Sequence, residues 1–232
     1  MHCFYEPNLT GESVLLSEEE SKHAVRVLRL STGDKVELLD GKGTRAVAEV
    51  SDDHPKRCVL RIVSRNNETT GRNFHLHIAI APTKNIDRIE WFVEKATEIG
   101  VDEITFLNCE HSERDTIKTD RIEKVAISAM KQSQQSHLPK INELTSFHKF
   151  ISDCESEIRL IAHCEDSERK DLRDYSFGNK SAVILIGPEG DFSQEEIQAA
   201  IEAKFAPVVM GSTRLRTETA ALYAVNTVHV KA

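Results

Sequence analysis

The apolar run Ala182-Val183-Ile184-Leu185-Ile186 stops abruptly at Gly187-Pro188-Glu189-Gly190, and a helix signal follows at once. Ser193 and Glu196 stand at the S-x-x-E spacing of a capping box, which fixes the helix start. A short apolar strand, a glycine turn and a helix in that order form one unit of an open α/β sheet. This stretch constrains the rest of the chain, because a parallel strand needs parallel neighbours and crossover connections of a dozen or more residues. The carboxyl end of such a strand is also where α/β sheets hold ligands. Glycine at the turn lets backbone approach a bound group closely. Two readings stand on this stretch alone: a tight connection without a ligand, and one wall of a binding crevice.

From Arg72 onward the chain keeps this rhythm. Phe74 to Ile80 alternates as a strand. Ile86, Ile89, Val93 and Ala96 then recur at helical spacing up to a stop at Gly100. A strand over Glu103 to Leu107 precedes a helical stripe of Ile122, Val125, Ala126, Ala129 and Met130. Strands follow at Arg159–His163, Ala182–Ile186 and Pro207–Met210, and a last helix runs from about Thr217 to Val230. The pattern predicts a mainly parallel sheet with helices on both faces.

Residues 1–70 read differently. Ser17 and Glu20 make another capping pair, opening a short helix. Lys35–Asp40 and Thr44–Val50 flank Gly41-Lys42-Gly43 as a hairpin, and Cys58–Val63 is a further strand. Several short strands in so few residues predict a small barrel. The polar stretch from Asn66 to Asn73 reads as a linker.

The chain is 39% apolar and 29% charged, which argues against disorder. No apolar run approaches a membrane span. Residues 1–10 lack the basic and apolar pattern of a secretory signal, so a cytoplasmic protein is expected. Five scattered cysteines without a C-x-x-C point to reduced thiols rather than disulfides or zinc. The ten histidines show no metal-ligand spacing, so no metal is expected. The net charge of −8 disfavours a uniformly RNA-binding surface. Between residues 21 and 65, however, Lys22, Arg26, Arg29, Lys35, Lys42, Arg45, Lys56, Arg57, Arg61 and Arg65 outnumber Asp34, Glu37, Asp40, Glu49, Asp52 and Asp53. That local excess suits phosphates, and it equally suits an ordinary solvated face.

Three strands end in loops of unusual content: Ala162-His163-Cys164-Glu165, Gly187-Pro188-Glu189-Gly190, and Gly211 to Ala220. On a parallel sheet all three lie on one edge and can share a crevice. In the third loop Thr217, Glu218 and Thr219 suit a helix start by themselves. Arg216 does not, because a cation at a helix N-terminus is unfavourable unless it meets an anion or a substrate. The G-x-G-x-x-G, P-loop and G-x-S-x-G patterns are all missing, which removes the usual dinucleotide, nucleotide and hydrolase sites.

At these loops the sequence resembles the RsmE family of SPOUT-class methyltransferases. The resemblance rests on Ile186 to Ser193 with Glu196, on Met210-Gly211, and on Leu215-Arg216-Thr217-Glu218-Thr219-Ala220-Ala221. Arg26-Val27-Leu28-Arg29-Leu30 with Gly33-Asp34, Lys95 to Val101, and Lys131-Gln132-Ser133 extend it over nearly the whole chain. It implies methylation of N3 of a uridine in 16S ribosomal RNA with S-adenosylmethionine, by a homodimer acting on that RNA or on the small ribosomal subunit. It implies a PUA-like β-barrel RNA-binding domain over 1–70 and a SPOUT domain with a C-terminal trefoil knot over 72–232. The cofactor would be held by Ala162, His163, Ile186, Gly187, Pro188, Glu189, Gly190, Met210, Gly211, Leu215, Arg216, Thr217, Thr219 and Ala220. Arg216 and Glu218 are the expected catalytic residues, as charge stabiliser and proton acceptor. Lys22, His23, Arg26, Arg29, Lys84 and Arg88 are the expected RNA contacts. The sequence departs from the family pattern at Asp191, where many members have glycine, at Thr213-Arg214, and at Gln134 to Pro139. A non-catalytic RNA-binding module, or an enzyme with another nucleotide ligand in the same crevice, are the competing readings. The intact Gly187–Gly190 and Leu215–Ala220 segments speak against both.

Overall fold

Strands buried on both faces carry near-continuous apolar runs, and three such runs set the centre of the larger sheet. The computed structural model describes residues 1–68, 72–165 and 168–231. These residues divide into two compact units, Met1–Gly71 with Met130–Leu138, and Arg72–Ala129 with Pro139–Ala232.

The first unit holds β1 (Cys3–Tyr5), β2 (Ser13–Leu15), α1 (Glu18–Lys22), β3 (Lys35–Leu39), β4 (Thr44–Asp52) and β5 (Val59–Asn67). They form a five-stranded sheet in the order β1-β3-β4-β5-β2, with β1 parallel to β3 and the rest antiparallel. Register shifts between Val47 and Ala48 and between Val50 and Asp52 bend β4 against β5 and curl the sheet around Phe4, Val36, Leu38, Val50 and Leu60. Among the described residues no ladder joins β1 to β2, so the sheet is curled rather than sealed. Ser17 caps α1 by accepting from the Glu20 N–H, and the helix then widens into a π-turn over His23–Val27. The expected linker at 66–73 begins later than its polarity suggests, since Asn66 and Asn67 still pair with Arg45 and Thr44. Its residues 69–71 lie outside the described residues.

Residues Met130–Leu138 complete this unit as a strap. Lys131 Nζ meets Glu20 Oε1 at 3.1 Å, and Arg45 Nη2 donates to the Gln134 carbonyl at 2.6 Å. The Gly43 N–H donates to the Ser136 carbonyl, and the Leu138 N–H to the Gly41 carbonyl. A Cβ at Gly43 would lie 2.6 Å from the Glu68 carbonyl and 2.9 Å from the His137 ring, so only glycine admits this approach.

The second unit is a seven-stranded sheet in the order β10-β12-β9-β11-β6-β7-β8, parallel throughout. Its elements in chain order begin with β6 (His75–Ile80), α2 (Ile86–Ile99), β7 (Glu103–Asn108), α3 (Thr119–Ser133), β8 (Lys140–Ser146) and α4 (Phe147–Asp153). They continue with β9 (Ile158–Ala162), β10 (Lys170–Asp171), β11 (Ser181–Ile186), α5 (Gln194–Glu202), β12 (Ala206–Val209) and α6 (Thr217–Lys231). Three of these, β8, α4 and β10, go beyond the elements expected from the sequence. β8 is polar and half-exposed (Lys-Ile-Asn-Glu-Leu-Thr-Ser) and pairs with a neighbour on only one side.

One sheet face packs on α4 and α5 through Ala79, Val183 and Leu185 against Phe147, Ile151, Phe192, Ile197 and Ala200. On the other, α6 returns from β12, next to the β10 edge, to lie across β6 and β11 and beside α2. Gly100 ends α2 in the left-handed conformation at φ 115°.

Candidate active site

The loops after β9, β11 and β12 leave the same edge of the parallel sheet, and together they enclose a cavity of about 790 Å³. Of the expected cofactor residues, Ala162, His163, Ile186, Gly187, Pro188, Glu189, Met210, Gly211, Leu215, Arg216, Thr217 and Ala220 line it. Gly190 and Thr219 do not. Gly190 backs onto the loop after β7, where a Cβ would come 3.1 Å from His111 Cβ. Thr219 faces a second, smaller cleft with Asp87, Arg88, Trp91 and Glu218. The two expected catalytic residues therefore part company: Arg216 lines the cavity, and Glu218 lines the cleft.

The glycine turn is held from three sides. A Cβ at Gly187 would stand 3.1 Å from the Phe192 ring, so any other residue there would require that ring to shift. Ser193 and Glu196 complete their capping box, and Glu196, buried, also accepts from the Glu110 N–H at 2.9 Å. Glu189 lines the cavity and accepts from the Lys84 N–H at 3.1 Å, tying the turn to the loop after β6. Arg114 braces that loop in turn, donating to the carbonyls of Thr83 and Lys84 at 3.1 and 2.7 Å.

Asp191 was not singled out for the site, and it has the most telling geometry there. It sits at φ 65°, in the left-handed region that favours glycine. Its Oδ2 accepts from the Cys164 N–H at 2.6 Å and its Oδ1 from its neighbour Phe192 N–H at 2.8 Å. One carboxylate thus clasps the loop after β9 to the loop after β11, within the cavity wall. Cys164 and Arg169 also line that wall without having been anticipated. Arg169 Nη1 donates to the His163 carbonyl at 2.6 Å.

His163 is buried, and neither ring nitrogen has a hydrogen-bond partner. Burial holds its pKa below the ordinary value, with the Asp191 carboxylate opposing, so a neutral ring faces the cavity near pH 7. Burial, with help from Asp191, pushes the Cys164 thiol up, which makes it a poor nucleophile. Arg214 and Arg216 are exposed, and no ion pair engages either among the described residues.

The expected RNA contacts lie on different units. In the first, Lys22 is paired with Glu18 at 2.7 Å and His23 lies 3.6 Å from Glu20. Arg26 and Arg29 have no ion-pair partner among the described residues, and Arg29 is held at φ 58° just beyond the π-turn. Arg45 and Arg61 are consumed by Glu37, Glu68 and Glu49, so the local basic excess is smaller than its residue count. In the second unit, Lys84 Nζ meets Glu113 at 2.7 Å, and Arg88 Nε lies 3.9 Å from Glu218. No described helix is long and apolar enough to cross a membrane.

Residues 70–229 match the RNA methyltransferase domain family, and residues 16–63 match the RNA methyltransferase PUA domain family. Ribosomal RNA small subunit methyltransferase E 2 of Borreliella burgdorferi is 30% identical over 227 residues, covering 93% of this chain and 90% of its own. Among solved structures, a probable rRNA-methyltransferase from Porphyromonas gingivalis is 41% identical with a TM-score of 0.93, over 99% of this chain and 98% of its own. A ribosomal RNA small subunit methyltransferase E from Neisseria gonorrhoeae, bound to S-adenosyl methionine, is 26% identical with a TM-score of 0.88, over 99% of this chain and 97% of its own.

Proposed function

The chain belongs to the ribosomal RNA small subunit methyltransferase E family of RNA methyltransferases, and from that membership we propose that it methylates N3 of a uridine in 16S ribosomal RNA with S-adenosylmethionine. The observation that carries the reading is the cavity formed by three strand-end loops, with Arg216 in its wall. Its volume of about 790 Å³ is of the size that holds a nucleoside-based ligand. The residues fit this cofactor. Ile186, Val208, Met210 and Leu215 offer apolar walls to a purine, and buried His163 has unpartnered ring nitrogens for a polar group. The carboxylates of Glu189 and Asp191 suit a cationic guest. When bound, S-adenosylmethionine supplies a methyl group made electrophilic by a sulfonium sulfur.

N3 of uracil carries a proton at neutral pH, so the protein's task is to hold the base in line and favour its deprotonated form. Arg216, exposed in the cavity wall and without an ion-pair partner, is the group we assign to the developing negative charge. Glu218 is assigned to proton acceptance. A uridine within paired RNA must be flipped out to present N3. Arg26 and Arg29 on the first unit would grip RNA phosphates, with Lys22 and His23 beside them and Lys84 and Arg88 contributing from the second.

The proposal includes a homodimer, a cytoplasmic location and a trefoil knot. Support for the knot is the return of α6 from β12, near one side of the sheet, to its middle. Val230, exposed on α6, suits a partner surface. The test is direct. Small-subunit RNA from a strain deleted for the gene is incubated with protein and S-adenosylmethionine, then digested and read by mass spectrometry. N3-methyluridine at one position is the expected product; unmodified uridine throughout overturns the assignment.

A further inference from the structure

We propose that the small cleft between the first turns of α2 and α6 is the seat of the target uracil, with Glu218, Arg88 and Trp91 as its recognition groups. This deepens the N3-methylation reading and rests on it.

The cleft has a volume of about 290 Å³, enough for a pyrimidine ring. Its position relates it to the cofactor cavity. Thr217 and Ala220 line the cavity, whereas Glu218 and Thr219 line the cleft, so a single turn of α6 separates the two. A base in the cleft and a methyl donor in the cavity thus flank the same helix start.

The chemistry of the lining is selective. Glu218 is only 7% exposed, its Oε2 is buried without a hydrogen-bond partner, and its Oε1 lies 3.9 Å from Arg88 Nε. That separation is too long for a hydrogen bond. A buried carboxylate oxygen without a donor is costly, and such groups are rare unless something outside the chain completes them. The start of α6 eases the charge but supplies no donor to Oε2 among the described residues. Uracil presents an acceptor, a donor and an acceptor in a row: O2, N3–H and O4. The N3–H answers Glu218, and a flanking carbonyl answers Arg88. Cytosine presents a lone pair at N3, which the carboxylate repels. Trp91, 43% exposed, offers the flat apolar face on which an unstacked base settles.

Glu218 then holds the very proton that must leave. The N3 proton passes first to the Glu218 carboxylate, and the lone pair this frees on N3 then bonds to the methyl carbon while the carbon–sulfur electron pair returns to sulfur. N3-methyluridine, a neutral thioether and a protonated Glu218 result, and the last returns its proton to water. The methylated base has no N3–H, so the cleft releases its product.

Trp91 is the chain's one tryptophan, so its fluorescence reports on the cleft alone. With the protein saturated by S-adenosylhomocysteine, uridine 5′-monophosphate at millimolar concentration is expected to quench Trp91. The N3-methylated nucleotide should bind at least tenfold more weakly. Glu218→Gln keeps an acceptor oxygen but cannot take the proton. It should lower turnover on small-subunit RNA by at least a hundredfold while the quench constant moves less than threefold. Trp91→Leu should raise the KM for RNA about tenfold and leave S-adenosylmethionine affinity, read by calorimetry, unchanged. Equal quenching by the two nucleotides, quenching by neither, or wild-type kcat/KM in both variants overturns the cleft assignment while N3 methylation itself still stands. Failure to bind S-adenosylmethionine at all would bring down the methyltransferase reading and this one together.

Discussion

The amino and carboxyl edges of the parallel sheet handle their polar groups in opposite ways. At the amino edge, β6, β7 and β8 start with His75, His77, Glu103, Thr105, Lys140 and Asn142. His77 Nε2 lies 2.8 Å from Thr105 Oγ1, and Asn142 Nδ2 donates to Thr105 Oγ1 at 2.8 Å and to Glu103 Oε1 at 2.7 Å. Lys140 Nζ closes on Glu103 at 2.9 Å. At the carboxyl edge, glycine turns hold a cavity open, and both ring nitrogens of His163 and one oxygen of Glu218 stay unpartnered. A polar cluster that satisfies itself is architecture, whereas one that leaves buried groups waiting is a place for a ligand.

The contrast breaks most visibly at Arg216. Arg216→Ala should lower methyl transfer by roughly a hundredfold or more, the scale of a lost charge-stabilising contact, with the thermal transition unmoved. Methyl incorporation into small-subunit RNA measures it, and wild-type turnover would remove Arg216 from the chemistry.

Asp191→Gly pits two effects against each other. Glycine relieves the left-handed backbone at φ 65°, which by itself stabilises the fold. It also deletes the clasp between the loops after β9 and β11. Affinity for S-adenosylmethionine should fall about tenfold, near 1.4 kcal/mol, while the melting temperature holds or rises. Calorimetry beside thermal denaturation separates the two. Unchanged affinity would reduce Asp191 to a filler of the turn.

At the amino edge the response is to pH. Burial is the main cause holding His77 down at about 4, against the pull of Glu103. The unfolded chain therefore takes up a proton near pH 6.5, and the folded one only near pH 4. The stability tied to neutral His77 is complete above pH 6.5 and is lost progressively as pH falls toward 4. Urea midpoints across that window should decline in the wild type and decline less in His77→Gln. Parallel curves would show that His77 does not govern the slope.

The smallest expected effect is at Asn142. Asn142→Ala should cost about 1 kcal/mol of stability, the loss of two partly solvated bonds from one amide, and leave cofactor affinity within twofold. A loss of affinity there would mean that the two edges are coupled, and the contrast between them would fail.

What the sequence made legible follows from the same division. The strands β6, β7, β9 and β11 are buried, so each shows as an apolar segment, and the loops after β9, β11 and β12 could be brought to one edge by topology alone. β8 was hidden because an edge strand with one solvated side carries Lys140, Asn142, Glu143 and Thr145. Asp191 looked like a departure from a glycine pattern, and its clasp emerges only when φ and two backbone donors are seen together. The small cleft was out of reach for another reason. Asp87, Arg88 and Trp91 are far from Glu218 in the chain, and no spacing rule joins the starts of two helices that happen to pack side by side. Counting charges over residues 21–65 overstated the basic face, because Arg45 and Arg61 spend theirs on neighbouring carboxylates.

The strap of Met130–Leu138 has a consequence for how the protein is born. A ribosome delivers residues in order, and the first unit cannot close until the strap has been made. Lys131 for Glu20, the Gln134 carbonyl for Arg45 and the Ser136 carbonyl for Gly43 all arrive after β6, α2, β7 and most of α3 have been synthesised. The amino-terminal unit is therefore not the first to finish, and its early strands must wait, with the Gly41–Gly43 hairpin loop unbraced, while the chain that follows them emerges.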